Sequence, residues 1–427
     1  MSFTPSSRID LGGQIAVEKH RHENGLTALV CPDHSAPLVS VQMWYRVGSA
    51  DERAGQTGAA HFFEHLMWSP TRRRPAGEFD RLIESVGGDC NAATWVDWTS
   101  YRDTVASRDL EMVLELEAER MSELVLDDES LEAEREVVIN ERLERVEDDI
   151  DGFLDEKLCL TAFPVHPYGR PTIGFLDDIR RLDRPAIERF YETYYTPQNA
   201  IAVIAGDVTS ADALAALERH FGGLAPGPKP PSRAAVSEPS QREPRRRGFD
   251  RPTATARLLV AYPIPGQGHA DWSRLSTAAA LLSSGPSSRL YRELVVEREI
   301  ATYADVDVMP FRDIALLQIS VGGTANTNAG ELERATLDVI AGLTEDSITD
   351  GELEKVRASA ETDFWSELET ADGKGEALGH FEATLGDYRM LATIAERLRD
   401  FDAAGLAAVA KRYLTPDRRS AVWATPR

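Results

Sequence analysis

The sequence is poor in cysteine, in long apolar runs and in basic residues relative to acidic ones. Its three cysteines, Cys31, Cys90 and Cys159, are an odd number without metal-site spacing, so we expect reduced, mostly buried thiols rather than a disulfide framework. No apolar run approaches the roughly 18 residues that a membrane span needs, and the N-terminus lacks the apolar core of a signal peptide. The sequence therefore predicts a chain without a membrane span, cytoplasmic as it stands, or periplasmic if a signal peptide has been removed.

Acidic residues outnumber basic ones by 71 to 47, which gives a formal net charge of −24. This balance argues against a nucleic-acid-binding function and favours attraction of cationic peptides, although acidic surfaces often serve only solubility. The chain has 427 residues, 42% of them hydrophobic, and this is enough for two domains with their own cores.

The most informative stretch runs Gly-Ala-Ala-His61-Phe-Phe-Glu64-His65 and is predicted to be helical over about residues 58–68. On a helix, His61 and His65 project from one face, one turn apart, with Glu64 beside them. Neutral imidazole nitrogens suit zinc, and a carboxylate next to the metal can take a proton from a water molecule that the metal acidifies. The spacing therefore indicates a metal-binding site in which the two histidines are ligands and Glu64 is the general base.

A hydrolytic zinc site needs a third protein ligand on another rigid element. Residues 130–149 are predicted to form a long helix, on which Glu134 and Glu141 lie seven apart and share one face within about 20°. One of them can bind the metal while the other supports the site. Without the histidines, a solvated acidic helix face would explain the two glutamates equally well.

Together these residues resemble the pitrilysin/insulinase family of zinc peptidases, in the shorter branch that includes mitochondrial processing peptidase and its bacterial relatives. That family carries His-x-x-Glu-His, the inverzincin order, followed about 75 residues later by Glu-x6-Glu, whose second Glu binds zinc. Here the separation is 141 minus 65, or 76 residues. The resemblance implies that His61, His65 and Glu141 bind Zn²⁺, that Glu64 is the base and that Glu134 supports the site.

Two further stretches match the same family. Residues 91–101 follow its Asn-Ala-x-Thr-x-x-Asp-x-Thr-x-Tyr hairpin, and residues 166–174 follow its His-Pro-Tyr-Gly-Arg-Pro-x-x-Gly segment. The resemblance implies that the first strand of the hairpin, residues 89–94, pairs with an extended peptide substrate. Its candidate substrate-binding residues are Asn91, Ala92 and Thr94.

The two halves of the chain are similar to each other. Met43-Trp-Tyr45 recurs as Val260-Ala-Tyr262 at an offset of 217, and Tyr195-Thr-Pro197 recurs as Leu414-Thr-Pro416 at an offset of 219. We therefore predict an α+β fold with two homologous domains from an internal duplication, each a mostly antiparallel sheet packed with helices. The predicted bounds are 1–224 for the zinc-binding catalytic domain, 225–251 for a Pro/Arg-rich linker and 252–427 for the second domain.

The second half is not expected to bind metal, because the same offsets place small or apolar residues where the ligands would be. Family members carry an Arg and, seven residues later, a Tyr that contact the scissile peptide, but those positions fall on Val295 and Thr302. Tyr303 is one residue out of register and Arg298 stands only five before it, so the pair is judged absent.

The expected function is that of a zinc metalloendopeptidase acting on extended, unfolded peptides. Because the Arg/Tyr pair is judged absent, we expect the catalytic subunit of a heterodimer, whose homologous partner supplies that pair, or else self-association. The alternatives are a non-proteolytic assembly subunit and a zinc-binding scaffold without hydrolysis. Zinc content together with peptide cleavage discriminates among them.

Overall fold

A computed structural model of the chain describes residues 3–12, 15–233, 235–343 and 347–426. Its strands are β1 (Thr4–Asp10), β2 (Ala16–Arg21), β3 (Thr27–Pro32), β4 (Leu38–Tyr45), β5 (Asp89–Thr94), β6 (Thr99–Ala106), β7 (Ala200–Gly206), β8 (Arg245–Arg251), β9 (Arg257–Pro265), β10 (Ala301–Val308), β11 (Ile314–Gly323) and β12 (Ser420–Pro426). Its helices are α1 (Ala59–Leu66), α2 (Glu78–Ser85), α3 (Leu110–Ser122), α4 (Asp128–Arg142), α5 (Ile150–Ala162), α6 (Leu176–Ile179), α7 (Arg184–Tyr194), α8 (Ser210–Phe221), α9 (Trp272–Ser283), α10 (Ala329–Leu343), α11 (Asp350–Glu367), α12 (Ala371–Leu385), α13 (Met390–Arg397) and α14 (Ala403–Tyr413).

The strands form two sheets, and both are mostly antiparallel. The first has the order β1-β2-β3-β7-β4-β6-β5 and the second the order β10-β11-β9-β12-β8. Each sheet contains one parallel pair, β3 with β7 and β8 with β12. The central strand β7 is buried along its whole length, because helices α8, next to β3, and α12, next to β7, cover the sheet. The predicted α+β class is confirmed.

The second sheet repeats the topology of the first. The order β3-β7-β4-β6-β5 has the counterpart β8-β12-β9-β11-β10, with parallel and antiparallel pairs in the same places. The first residues of β4 and β9 are Leu38 and Arg257, and 257 minus 38 is 219, in line with the offsets read from the sequence. The expected internal duplication is therefore confirmed at the level of strand order.

One part of the predicted linker is wrong. Arg245–Arg251, taken as an extended connection, forms β8 and pairs in parallel with β12 at the edge of the second sheet. Two of its arginines are held in place, since Arg245 donates hydrogen bonds to the carbonyls of Thr161 and Ala162 and Arg246 pairs with Glu333. An edge strand tolerates such polar side chains because one of its sides faces solvent. Residues 225–233 and 235–244 form no helix or strand, and Ala234 lies outside the described residues.

The chain divides into two compact units that each draw on separate segments. The first comprises residues 1–141, 171–234 and 364–393, and the second residues 142–170, 235–363 and 394–427. They differ from the predicted contiguous domains because α5 packs on β9 and β12 in the second unit, while α12 packs on β4 and β7 in the first. Burial of these helices, rather than chain order, decides where they belong.

The described residues include no helix that is both long and apolar enough to cross a bilayer. Cys31 is buried, Cys90 and Cys159 are half-buried, and none of the three forms a disulfide.

Candidate metal centre

The first turn of α1 is built so that the motif helix begins at a fixed place. Gly58 has a left-handed backbone, with φ at +87°, and a Cβ there would lie 2.6 Å from the carbonyl oxygen of Ile173. The carboxylate of Glu52 accepts hydrogen bonds from the N–H groups of Gly58 and Ala60 at 2.9 and 2.8 Å. These are donors that a helix start otherwise leaves unsatisfied, and an anion there also complements the helix dipole.

The segment around Gly174 explains part of the second motif match. Gly174 has φ at +86°, and a Cβ on it would lie 2.4 Å from the Cα of Gly58. Beside this contact, Thr57 donates to Asp178 at 2.6 Å and accepts from the N–H of Phe175 at 2.9 Å. A side chain at either glycine would push α1 away from this loop, so both glycines help to fix the start of the helix.

Three predicted ligands come together on two helices. His61 and His65 lie on α1 and Glu141 lies on α4, and one ligand atom from each falls within 4.8 Å of the others. Glu141 Oε2 is 3.6 Å from His61 Nε2 and 3.2 Å from His65 Nε2. The imidazole rings of the two histidines have centroids 4.9 Å apart. The residues from the two predicted helices therefore converge on one point.

Two of the spacings between these atoms are near those of a zinc site. A tetrahedral ion with ligand bonds of about 2.0–2.1 Å would place its donor atoms about 3.3 Å apart, and the nitrogen–oxygen separations at Glu141 are 3.6 and 3.2 Å. Two imidazole nitrogens and one carboxylate oxygen are also a donor set that zinc accepts while keeping a fourth position open. The residues present therefore suit a hydrolytic zinc site.

Glu134 approaches the other side of His65. Its Oε2 is 3.6 Å from His65 Nδ1, while His65 Nε2 faces Glu141. Burial is the largest influence on the pKa of His65 and lowers it, but the carboxylates of Glu134, Glu141 and Glu64 outweigh burial and raise this pKa to about 9. Without a metal, the acidic surroundings thus hold a proton on His65, and a divalent cation can replace that positive charge.

Glu64 lies on the same helix as both histidines and close to two buried tyrosines. The hydroxyls of Tyr101 and Tyr195 are 3.3 Å apart. Burial is the main cause that raises the pKa of each phenol, and the charge of Glu64 adds to the shift. Both phenols therefore stay protonated beside Glu64. The sequence had indicated Tyr101 only as part of a motif and had not indicated this use of Tyr195.

The predicted substrate strand is an edge strand. β5 spans Asp89–Thr94 as expected, is the last strand in its sheet and pairs with β6. It also lies next to α1. Asn91 is exposed, and its side chain accepts a hydrogen bond from the N–H of Ala92 at 2.8 Å. A peptide that pairs at this position has to replace that local bond.

An arginine from the segment predicted as linker holds the neighbouring turn. Arg233 donates to both carboxylate oxygens of Asp51, at 2.9 and 2.6 Å, and also pairs with Asp97 in the β5–β6 turn. Backbone carbonyls of the β5–β6 turn accept hydrogen bonds from the N–H groups of Ser49 and Ala50. The turn at residues 49–52 thus connects Arg233, the hairpin and, through Glu52, the first turn of α1. Sequence reasoning missed both Arg233 and Glu52.

Thr302, Arg298 and Tyr303, at or near the positions of the family's Arg/Tyr pair, each interact with other residues of the chain. Thr302 donates its hydroxyl to the carbonyl of Gly322 at 3.2 Å. Arg298 pairs with Glu293 at 2.7 Å and with Asp338 at 3.7 Å, whereas the ring of Tyr303 lies against Gly322 in a different cleft. Arg298 and Tyr303 therefore do not form a displaced pair.

Comparison with known proteins identifies relatives over nearly the whole chain. The sequence matches the family described as insulinase (peptidase family M16) over residues 28–175, and the family described as peptidase M16 inactive domain over residues 181–360. It is 30% identical to the zinc protease PqqE of Helicobacter pylori, covering 98% of this chain and 96% of that protein.

Solved structures show the same architecture. The crystal structure of a protease from Helicobacter pylori has a TM-score of 0.91 at 30% identity, covering 96% of this chain and all of that chain. The periplasmic protease PqqL from Escherichia coli has a TM-score of 0.79 at 17% identity, covering 99% of this chain and 48% of that chain. At that identity the second likeness concerns the fold alone.

Proposed function

The chain belongs to the insulinase family of peptidases, peptidase family M16, and we propose that it is a zinc-dependent metalloendopeptidase that cleaves extended, unfolded peptides. The observation that carries the proposal is the convergence of His61, His65 and Glu141 within 4.8 Å, with Glu64 on the same helix as the histidines. The names of its relatives support peptidase chemistry, and the donor set supports zinc.

Each residue has a role in this proposal. His61, His65 and Glu141 hold the ion, and Glu134 orients His65 through Nδ1. Bound zinc supplies a Lewis acid that polarises a carbonyl and lowers the pKa of water to about 7. Glu64 takes the proton from the attacking water and passes it to the leaving amine. The pair formed by Tyr101 and Tyr195 keeps the surroundings of Glu64 dry and fixed.

The substrate in this proposal enters as an added strand along β5. Main-chain hydrogen bonds at Asn91, Ala92 and Thr94 then supply much of the binding, and such pairing requires an extended segment. A folded protein cannot present its backbone in this way, so unfolded peptides are the substrate class. The charge of −24 further favours basic peptides.

The second half has a non-catalytic role in this proposal. No metal cluster other than His61, His65 and Glu141 occurs among the described residues, and α9, the counterpart of α1, carries alanines and leucines where the ligands would fall. Because Val295 and Thr302 offer neither a cation nor a phenol, the chain acts as the catalytic subunit of a heterodimer with a homologous subunit that carries the Arg/Tyr pair. Alone, it self-associates or cleaves slowly.

Two measurements on the purified chain test this function against the alternative of a non-proteolytic assembly or scaffold subunit. The proposal expects one zinc per chain and cleavage of an unstructured peptide, faster when a homologous subunit is added. Zinc binding without cleavage, alone and with that subunit, selects the alternative. The compartment is tested separately by fractionation into cytoplasm and periplasm.

A further inference from the structure

Two acidic side chains and one guanidinium are enclosed next to the edge strand β5, within the first compact unit. Asp103 lies on β6, and Glu117 and Arg120 lie on α3, which packs against β4 and β6. Asp103 and Glu117 are 0% exposed and Arg120 is 1% exposed. We call these three residues the buried triad. No motif in the sequence indicated it.

The only cation of the buried triad is engaged by Glu117. Arg120 donates to Glu117 from Nε at 2.8 Å and also from Nη2, which is the two-pronged geometry of a guanidinium with an ionised carboxylate. Its Nη2 is 4.0 Å from Asp103 Oδ2, too far for a hydrogen bond. In the described part of the chain, no other cation pairs with either acid. Glu117 therefore carries the negative charge that balances Arg120.

Asp103 has no donor from the rest of the protein. No N–H group and no hydroxyl of the described residues donates to either of its side-chain oxygens, although an ionised carboxylate in a protein core normally accepts several hydrogen bonds. Its side chain does form a hydrogen bond with Glu117. Two carboxyl groups can share a hydrogen bond only if one of them keeps its proton. Because Glu117 is paired with Arg120, the proton belongs on Asp103.

The surroundings of Asp103 favour its neutral form. Burial is the main cause that raises the pKa of Asp103 well above its usual range, and Glu117 adds to this shift while Arg120 opposes it. The other titratable groups that face the buried triad from the elements packed around it are Cys90 of β5, Tyr45 of β4, Tyr101 of β6 and Asp80 of α2. Burial raises the pKa of the Cys90 thiol to about 12 and raises the pKa of both phenols, so these three groups stay neutral. The charge of Asp80 raises the pKa of Asp103 further.

The position of Asp103 connects its proton to β5. Asp103 lies directly opposite Cys90 of β5 in the register of the sheet. Among the described strands, β5 pairs with β6 alone, so it can leave the sheet by breaking one set of backbone hydrogen bonds. If Asp103 lost its proton, two negative charges would share one cation in a site shielded from water, at a high cost. Local opening of the edge strand would admit water and relieve that cost.

We propose that Asp103 keeps its proton at neutral pH and that loss of this proton opens β5 away from β6, so that the buried triad is a pH-sensitive switch for the edge strand. At neutral and acidic pH, β5 is held in register. At alkaline pH, the ionised side chain is stable only where β5 has opened. The proton and the opening do not depend on the proposed function, whereas the consequence that opening prevents a peptide from pairing with β5 rests on it.

The first measurement detects the proton. Infrared spectra of the full chain in heavy water at pH 8, where exposed carboxyl groups are ionised, should show the C=O stretch of a protonated carboxyl group. Asp103→Asn should remove this band, whereas Asp89→Asn, which removes an exposed carboxylate from β5 itself, should leave it. If Asp103→Asn does not fold, an isotope label on the aspartate carboxyl carbons of the wild-type chain should shift the band. A missing band, or a band that neither Asp103→Asn nor the label changes, would overturn the proposal.

The second measurement tests the switch by amide hydrogen exchange. An opening that releases one proton becomes about tenfold more populated with each pH unit. Exchange in β5, corrected for the intrinsic rise of amide exchange with pH, should therefore become about tenfold faster per unit between pH 6 and pH 8 in the wild type, and should stay constant in Asp103→Asn. The strand β1, at the opposite edge of the same sheet, is the control within the molecule and should show no such trend.

Three results of the exchange measurement would contradict the switch. They are constant corrected exchange in β5 of the wild type, the same trend in β1, and the same trend in Asp103→Asn. Absence of peptide hydrolysis, with the carboxyl band and the exchange trend both present, would instead count against the proposed function alone.

Discussion

Removal of Arg233 should destabilise the turn that connects the hairpin to the motif helix. The guanidinium of Arg233 is about one-tenth exposed and pairs with Asp51 and Asp97, whose side chains are 11% and 1% exposed. Arg233→Ala leaves these two shielded carboxylates without their cation. Breaking a buried ion pair from one side typically costs about 3–5 kcal/mol, and we expect a loss of that size in the free energy of unfolding at pH 7.

The assay is urea denaturation of the metal-free protein, with Arg242→Ala as the matched control. Arg242 is exposed, lies in the same Pro/Arg-rich segment and should change the free energy of unfolding by no more than about 0.5 kcal/mol. Arg233→Lys keeps the charge but loses the two-pronged contact with Asp51, so it should fall between the two.

Peptide-cleavage kinetics give a second measurement of whether Arg233 holds the β5–β6 hairpin in place. If Arg233 positions β5, then Arg233→Ala should raise KM for a peptide substrate more than it lowers kcat, because the edge strand and not the ligand set is displaced. A loss below about 1 kcal/mol, or a loss equal to that of Arg242→Ala, would refute the reasoning. An unchanged KM would refute the part that concerns the hairpin.

Two further predictions rest on single contacts and a third on the edge strand β5. Gly58→Ala should destabilise the fold by more than about 1 kcal/mol, measured by urea denaturation, because its φ is +87° and a Cβ would lie 2.6 Å from the carbonyl of Ile173; unchanged stability would contradict the described close approach. Burial is the largest single influence on the pKa of Asp33 and raises it, but the ion pair with Lys374 at 2.7 Å and hydrogen bonds from Ser35 together outweigh burial and lower this pKa to about 2. The ionised Asp33 carboxylate stabilises the fold above the pKa of the unfolded state, and this stabilisation is lost as pH falls towards 2. Asp33→Asn should therefore lower the free energy of unfolding by about 1 kcal/mol at pH 7, after allowance for solvent screening, and change it very little at pH 2. An equal loss at both pH values would count against the ion pair. Denatured proteins should be cleaved much faster than the same proteins folded if substrates pair with β5, and equal rates would exclude strand addition.

Much of the fold and of the metal centre could be predicted because the signals are local. The spacing of His61 and His65 is a helical repeat, Glu134 and Glu141 lie seven apart on one predicted helix, and β5 has the predicted bounds. The duplication was indicated by similar offsets, 217 and 219 residues, between matching stretches of the two halves. In each case a short window of sequence carries the information.

The features that were missed depend on contacts between distant segments. Arg233 reaches Asp51 across 182 positions, and nothing in a Pro-rich segment indicates which of its arginines will be buried. The arginines of β8 were interpreted as part of a solvated linker. The sequence does not show that partners such as Glu333 lie beside them, because only the fold brings these residues together. These arrangements follow from tertiary packing rather than from local propensity.

The most direct test of the zinc peptidase proposal compares zinc content and peptide hydrolysis in the wild-type chain and in Glu64→Gln, each measured with and without a homologous subunit. The substitution removes the proposed base and no ligand, so both proteins should contain one zinc per chain. Hydrolysis of an unstructured peptide should fall by about 10²-fold or more in the variant. Activity of Glu64→Gln within tenfold of wild type, or a wild-type chain that takes up no zinc when it is supplied, would contradict the proposal.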